Sequence, residues 1–141
     1  MNSFNHYAFG AVEEWMWRNI IGINPDEEHA GYKHFVIRPQ LGKELSWARG
    51  SYDSIRGPIR TEWKLDANRL SLDVSVPANS TATVYLPVAA GAEVREGQQP
   101  AANAPGVHAL ELRDGQAAFE VGSGNYRFVV EGLRPAATGG R

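Results

Sequence analysis

The sequence contains no cysteine, so disulfide frameworks, thiolate-bound zinc, iron–sulfur clusters and thiol nucleophiles are excluded. It has no long apolar run either; nothing approaches the 18 or so residues that span a bilayer, and the opening Met-Asn-Ser-Phe-Asn-His-Tyr lacks the basic region of a signal peptide. Charge of one sign is also missing. Fourteen Lys and Arg face sixteen Asp and Glu, for a net charge of −2, with nine basic and nine acidic residues up to Leu70 and five and seven after it. Neither half offers the electrostatic footprint expected for nucleic acid or an anionic membrane. The absence of Cys leaves the compartment open.

The 141 residues suit one domain of ordinary size, able to bury roughly two-thirds of its unfolded surface. Aromatic residues are unevenly spread: ten of the fourteen Phe, Tyr and Trp, including all four Trp, lie at or before Trp63. Beyond it the vocabulary changes to Ala, Val, Gly, Ser and Thr. No 20- to 50-residue period recurs, which argues against a solenoid or propeller. The Gly- and Pro-containing end, residues 133–141, is expected to be disordered.

Residues 6–21 carry the signals of a helix: Asn5 or Ser3 as cap, a Glu14–Arg18 pair, Gly22 as a left-handed stop and Pro25 against continuation. At 100° per residue, Phe4, Ala8, Ala11, Val12, Trp15, Met16 and Ile20 form a broad apolar face, while Gly10, Trp17 and Ile21 fall opposite. A helix lying on one sheet keeps one face polar, so the second apolar face asks for another helix or another chain. Trp17 and Ile21 are therefore expected to be exposed, with self-association through this helix as the result.

From Tyr32 onward the period is two. Ile59, Thr61, Trp63 and Leu65 alternate with Arg60, Glu62 and Lys64; after the Asp66-Ala67-Asn68-Arg69 turn, Leu70, Leu72, Val74 and Val76 alternate with Ser71, Asp73 and Ser75. This is a half-buried antiparallel hairpin. Further strands are expected over residues 33–38, 45–52, 81–86, 107–112, 117–121 and 126–130, with turns at Asp114-Gly115 and over residues 122–125. Seven or eight short strands at such spacing describe a mainly β protein, an antiparallel two-sheet β-sandwich preceded by one N-terminal α-helix.

Chemistry is harder to find. Glu13 and Glu14 diverge by about 100° on a helix and cannot face each other across a bond as paired glycosidase carboxyls do. The Asp26-Glu27-Glu28-His29 cluster suits either a cation or proton-transfer site or a charged connecting loop. His6, His29, His34 and His108 lack metal-ligand spacing, and no metal is expected. His6, at the helix N-terminus, can either reach into a cleft or serve as a surface group. Asn79-Ser80-Thr81 matches a glycosylation acceptor, a pattern that a Ser/Thr-rich turn also produces by chance. No P-loop, dinucleotide fingerprint or nucleophile elbow occurs, and no cofactor is implied.

Several stretches together resemble a known family: Ser3-Phe4-Asn5-His6-Tyr7-Ala8-Phe9-Gly10-Ala11-Val12, Glu14-Trp15, Gly31-Tyr32-Lys33-His34-Phe35-Val36-Ile37-Arg38-Pro39, Trp47-Ala48-Arg49, Ser51-Tyr52-Asp53-Ser54, Gly57 and Trp63. They look like the C-terminal end of bacterial α-L-rhamnosidases of glycoside hydrolase family 78. The resemblance runs in order over residues 3–86, about sixty per cent of the chain; Ala30 departs from it, standing where a proline often precedes the Gly-Tyr-Lys-His run. It implies that the helix is left over from an (α/α)6 catalytic barrel, and that neighbouring barrel helices cover its second face. Residues 1–30 would be that helix and its linker, 31–132 the C-terminal β-sandwich and 133–141 a disordered tail. It further implies inverting hydrolysis of terminal α-L-rhamnose by an acid and a base that lie upstream of the Asn-His-Tyr motif, hence outside this chain. Only His6 carries over, as a substrate-binding residue facing the sugar. The expectation is an accessory sandwich, inactive alone, whose partner is the missing barrel and which meets a rhamnoside only through the parent enzyme. The alternatives are a free-standing carbohydrate-binding module, with Trp47, Tyr52 and Trp63 as candidate stacking residues, and a subunit completing a separately encoded barrel.

Overall fold

A computed structural model describes residues 20–25, 33–41, 46–88, 92–110 and 115–133. Among them, eleven strands form two sheets. The hairpin read from alternation is present as β4 (Gly57–Asp66) and β5 (Arg69–Val76), paired with Trp63 opposite Leu72 and Leu65 opposite Leu70. Ala67 turns the corner with φ at 57°. β3 (Trp47–Ser54) joins the other side of β4 through a tight turn at Ile55 and Arg56. β11 (Gly124–Val130) pairs with β5; the short β7 (Val94–Glu96) and β8 (Gln99–Pro100) complete the six-stranded sheet in the order β3-β4-β5-β11-β7-β8. The second sheet runs β1 (Ile23–Pro25), β2 (His34–Ile37), β6 (Thr81–Pro87), β10 (Gln116–Val121) and β9 (Val107–Ala109).

The period-two pattern places the core. Ile59, Trp63, Leu70, Leu72, Val74, Phe128 and Val130 point inward from the six-stranded sheet and meet Phe35, Ile37, Ala82, Val84, Leu86, Phe119 and Val121 from the five-stranded one. Each large apolar side chain so enclosed contributes about 1.5–3 kcal/mol relative to exposure. Phe119 and Phe128 stack between the sheets at 5.6 Å, and Tyr126 stacks on Phe128 at 6.2 Å. The outward residues of β4 and β5 from Arg60 to Ser75 are polar or charged, as alternation requires.

The β-sandwich is thus present, and several expectations need correcting. The sheets are not wholly antiparallel: β2 runs parallel to β6, with His34 opposite Thr81 and Ile37 opposite Val84. A parallel pair needs a long crossover, and everything from β3 to β5 lies in that connection. β1, β7 and β8 have no signature in the sequence; they are two or three residues long, too short to display alternation. Ile23–Pro25, in the stretch assigned to a linker, already pairs in the five-stranded sheet. At the other end Leu133 packs on the core and donates its N–H to Asn68 O at 2.9 Å, while residues 134–141 lie outside the described residues.

The helix expected over residues 6–21 also lies outside the described residues except for Ile20 and Ile21, which have the backbone of a π-type helical turn. Ile21 is not exposed. It is 7% accessible and belongs to the core, with Ile20 packed beside it, so this chain's own sandwich covers that residue, while Trp17 lies outside the described residues. Gly22 follows with φ at +89°, a left-handed backbone that favours glycine.

Candidate functional site

The most specific arrangement of polar groups is where the chain enters the sandwich. Carbonyls at the end of a helical turn have no partner within it and must find donors elsewhere. Here three consecutive carbonyls find them in both sheets. Trp63 Nε1 donates to Ile20 O at 2.8 Å and Thr61 Oγ1 to Ile21 O at 3.0 Å, both from the inward row of β4. The backbone N–H of Arg38, just after β2, donates to Gly22 O at 2.8 Å, and Asn24 Nδ2 reaches the same oxygen at 3.3 Å. Thr61 and Trp63 are 2% and 0% accessible, so these bonds are shielded from water. Only glycine fits at position 22, because a Cβ there would stand 2.5 Å from Pro39 N.

A second cluster lies on the outer face of the five-stranded sheet. His34 Nδ1 and Nε2 bond Thr81 Oγ1 and Thr83 Oγ1 at 2.6 and 2.9 Å, tying the parallel strands together through side chains. One strand-end further, the Arg38 guanidinium stacks over the Tyr85 ring at 4.0 Å.

On the outer face of the six-stranded sheet, Arg49, Glu62, Asp73 and Arg127 stand in one row across β3, β4, β5 and β11. Glu62 and Asp73 are direct cross-strand neighbours, a proximity that sequence alone implied only once the hairpin register was fixed. They do not resemble a catalytic pair: Arg127 clamps Asp73 with two bonds of 2.7 and 3.0 Å on an open surface. The hydrogen bond and charge of Asp73, and then the charge of Glu62, hold the Arg127 guanidinium above its ordinary range.

The remaining sequence candidates separate. His6, Glu13, Glu14, Trp17 and the Asp26-Glu27-Glu28-His29 cluster lie outside the described residues. Among the described residues no group of three or more His, Asp or Glu is placed to hold a metal ion. His108 is exposed in β9, opposite Glu120. Asn79 is exposed in the turn between β5 and β6 at φ 63°. Trp63 is fully buried and its N–H is used, which removes it as a sugar-stacking residue. Trp47 and Tyr52 are 55% and 38% accessible, but five positions apart on one strand they project to opposite faces and cannot form a common platform.

Residues 22–101 match the family model of the bacterial alpha-L-rhamnosidase C-terminal domain, which is more than half of the chain and includes Thr61, Trp63, His34 and Trp47. The chain belongs to this family. An α-L-rhamnosidase of Streptomyces avermitilis is 44% identical over 132 residues, covering 92% of this chain and 12% of the relative. The crystal structure of Streptomyces avermitilis α-L-rhamnosidase complexed with L-rhamnose superposes with a TM-score of 0.77 at 42% identity, over 93% of this chain and 12% of that one. The structure of α-L-rhamnosidase from Dictyoglumus thermophilum gives a TM-score of 0.79 at 30% identity, over 94% of this chain and 15% of that one. The chain thus spans about an eighth of the curated relative's length. The likeness to that relative runs past the family match on both sides and takes in part of the segment before Gly22. As a rhamnosidase C-terminal domain, the sandwich is the portion that follows the chain-entry contacts.

Proposed function

We propose that this chain is the closing end of an α-L-rhamnosidase: the last helix of an (α/α)6 catalytic barrel, ending at Ile21, followed by the accessory β-sandwich. The parent enzyme would remove terminal α-L-rhamnose from glycosides with inversion, using an acid and a base that this chain does not carry. The sandwich's own task is structural: it buries the end of the helix and leaves the face with Phe4, Ala8, Ala11, Val12, Trp15 and Met16 to the rest of the barrel. His6, near the start of that helix, would contact the sugar. The observation that carries this reading is 44% identity to an α-L-rhamnosidase over 92% of the chain, a span that no generic sandwich likeness would give.

Two measurements test it. The chain alone should show no turnover of an aryl α-L-rhamnoside above buffer, since binding and catalytic groups act as a unit. A hybrid in which it replaces the matching C-terminal stretch of the Streptomyces enzyme should be active, with KM raised by His6→Ala. Turnover by the chain alone, or a well-folded but inactive hybrid, would sink the proposal. Exposure of Trp47 favours a second reading, a carbohydrate-binding surface on β3. That reading requires a saturable tryptophan fluorescence change with rhamnose that disappears in Trp47→Ala.

A further inference from the structure

A buried indole N–H and a buried hydroxyl are not needed to fill the interior row of β4; Val would occupy nearly the same space as Thr and a purely apolar aromatic could fill much of the indole's, and a polar group removed from water is tolerated only with a partner. In Thr61 and Trp63 both partners are main-chain oxygens of the arriving chain, Ile21 O and Ile20 O. The two donors are two residues apart on one strand and so share a face, and the two acceptors are consecutive. A slip of the arriving segment by one residue would break both bonds together. Gly22 O, bonded to Arg38 N in the other sheet, adds a third point, and three points held from two sheets leave no axis about which the segment can pivot.

We propose that Thr61 and Trp63 are positioning residues, a clasp through which the sandwich sets the register and direction of the segment that precedes it. It rests on the rhamnosidase reading only for the task given to that segment, which is to present His6 to the sugar. The clasp itself is a property of the chain in isolation. Its cleanest probe is Thr61→Val, which keeps shape and removes the donor; Thr61→Ser restores the donor, and Trp63→Phe removes the other.

Amide hydrogen exchange of the full 141-residue chain reads the effect locally. In Thr61→Val, peptides covering residues 20–25 should exchange roughly tenfold faster, peptides from β5 and β11 should change by less than about twofold, and Thr61→Ser should return the first set to its original rate. Trp63→Phe should repeat the pattern with some added loss in the core. Unchanged exchange over residues 20–25 in both Thr61→Val and Trp63→Phe would overturn the clasp. So would an equal acceleration everywhere, which marks ordinary core packing. Because no rhamnoside enters this measurement, an inactive hybrid enzyme and an unmoved exchange pattern remain separate failures.

Discussion

The two sheets of this sandwich are assembled by different means. The six-stranded sheet contains the run β3, β4, β5 joined by short turns, and its open face is a row of ionic groups, Arg49, Glu62, Asp73 and Arg127. The five-stranded sheet is built from strands distant in sequence, and its outer face has half-buried His34, Val36, Thr81, Thr83 and Tyr85 in place of a charge ladder. One sheet follows from local alternation. The other depends on non-local groups that recognise each other, of which the His34 clamp is the clearest. The chain entry at Ile20 to Gly22 is tied to both.

The largest effect bears on whether the two sheets share one cooperative unit. Phe35 and Phe128 are both fully buried, one in each sheet, so Phe35→Ala and Phe128→Ala should each lower the unfolding free energy by about 3–5 kcal/mol. Each should preserve a single denaturation transition seen alike by fluorescence and circular dichroism. Two separated transitions in either variant would mean that the sheets are energetically independent despite the shared core.

This contrast also decides what could be read from the residues. The β4–β5 hairpin was legible because Ile59, Thr61, Trp63 and Leu65 alternate and the turn follows at once. The parallel pairing of β2 with β6 joins His34 to Thr81, and nothing local announces a partner so far along the chain. β1 ends on Pro25, a residue that reads as a breaker yet is tolerated at a sheet edge. β7 and β8 fold around Gly97 in a stretch without periodicity. At the candidate site, burial of Trp63 followed from its apolar row, but its hydrogen bond to Ile20 O did not, since a period of two carries no information about acceptors from another segment. The same gap hides the burial of Ile21: a helical period in the sequence does not say which of the chain's own strands will cover a residue.

The His34 clamp should be worth less than a core aromatic and more than a surface ion pair. Thr83→Val removes one of its two hydroxyl partners on half-buried ground and should cost about 1 kcal/mol by chemical denaturation. Changing Thr81 as well should cost less than twice that, because both bonds share one ring. Strict additivity would show that His34 does not couple the strands.

Tyr126 lies where β10 hands over to β11, between the two sheets. Its hydroxyl donates to Gly122 O at 2.9 Å, and burial, followed by the charge of Glu96, raises its pKa above 10.0. The folded protein therefore keeps this proton when the unfolded chain has begun to lose it. Its contribution to stability is complete below about pH 10 and fades as pH rises through the folded value. Tyr126→Phe should cost about 1 kcal/mol near neutrality, and less above pH 10, so that the two stability curves converge on the alkaline side. Curves that stay parallel would remove Tyr126 as the source of the difference.

The smallest effect belongs to the open face of the six-stranded sheet. Arg127 and Asp73 meet with ideal two-bond geometry, but their side chains are 66% and 39% accessible, and water competes for both. An exposed pair contributes about 0.2–1 kcal/mol, and in this row part of the value comes from relieving the repulsion between neighbouring Glu62 and Asp73. Arg127→Ala should therefore lower stability by about 0.5 kcal/mol in dilute buffer and by less at ~1 M salt, where charges a few ångströms apart are screened. The same substitution in an Asp73→Ala background should cost less again. A loss independent of salt and of Asp73 would show that the aliphatic stem of Arg127 matters more than its charge, and that the ionic row is a consequence of solvent exposure with no part in holding the sheet.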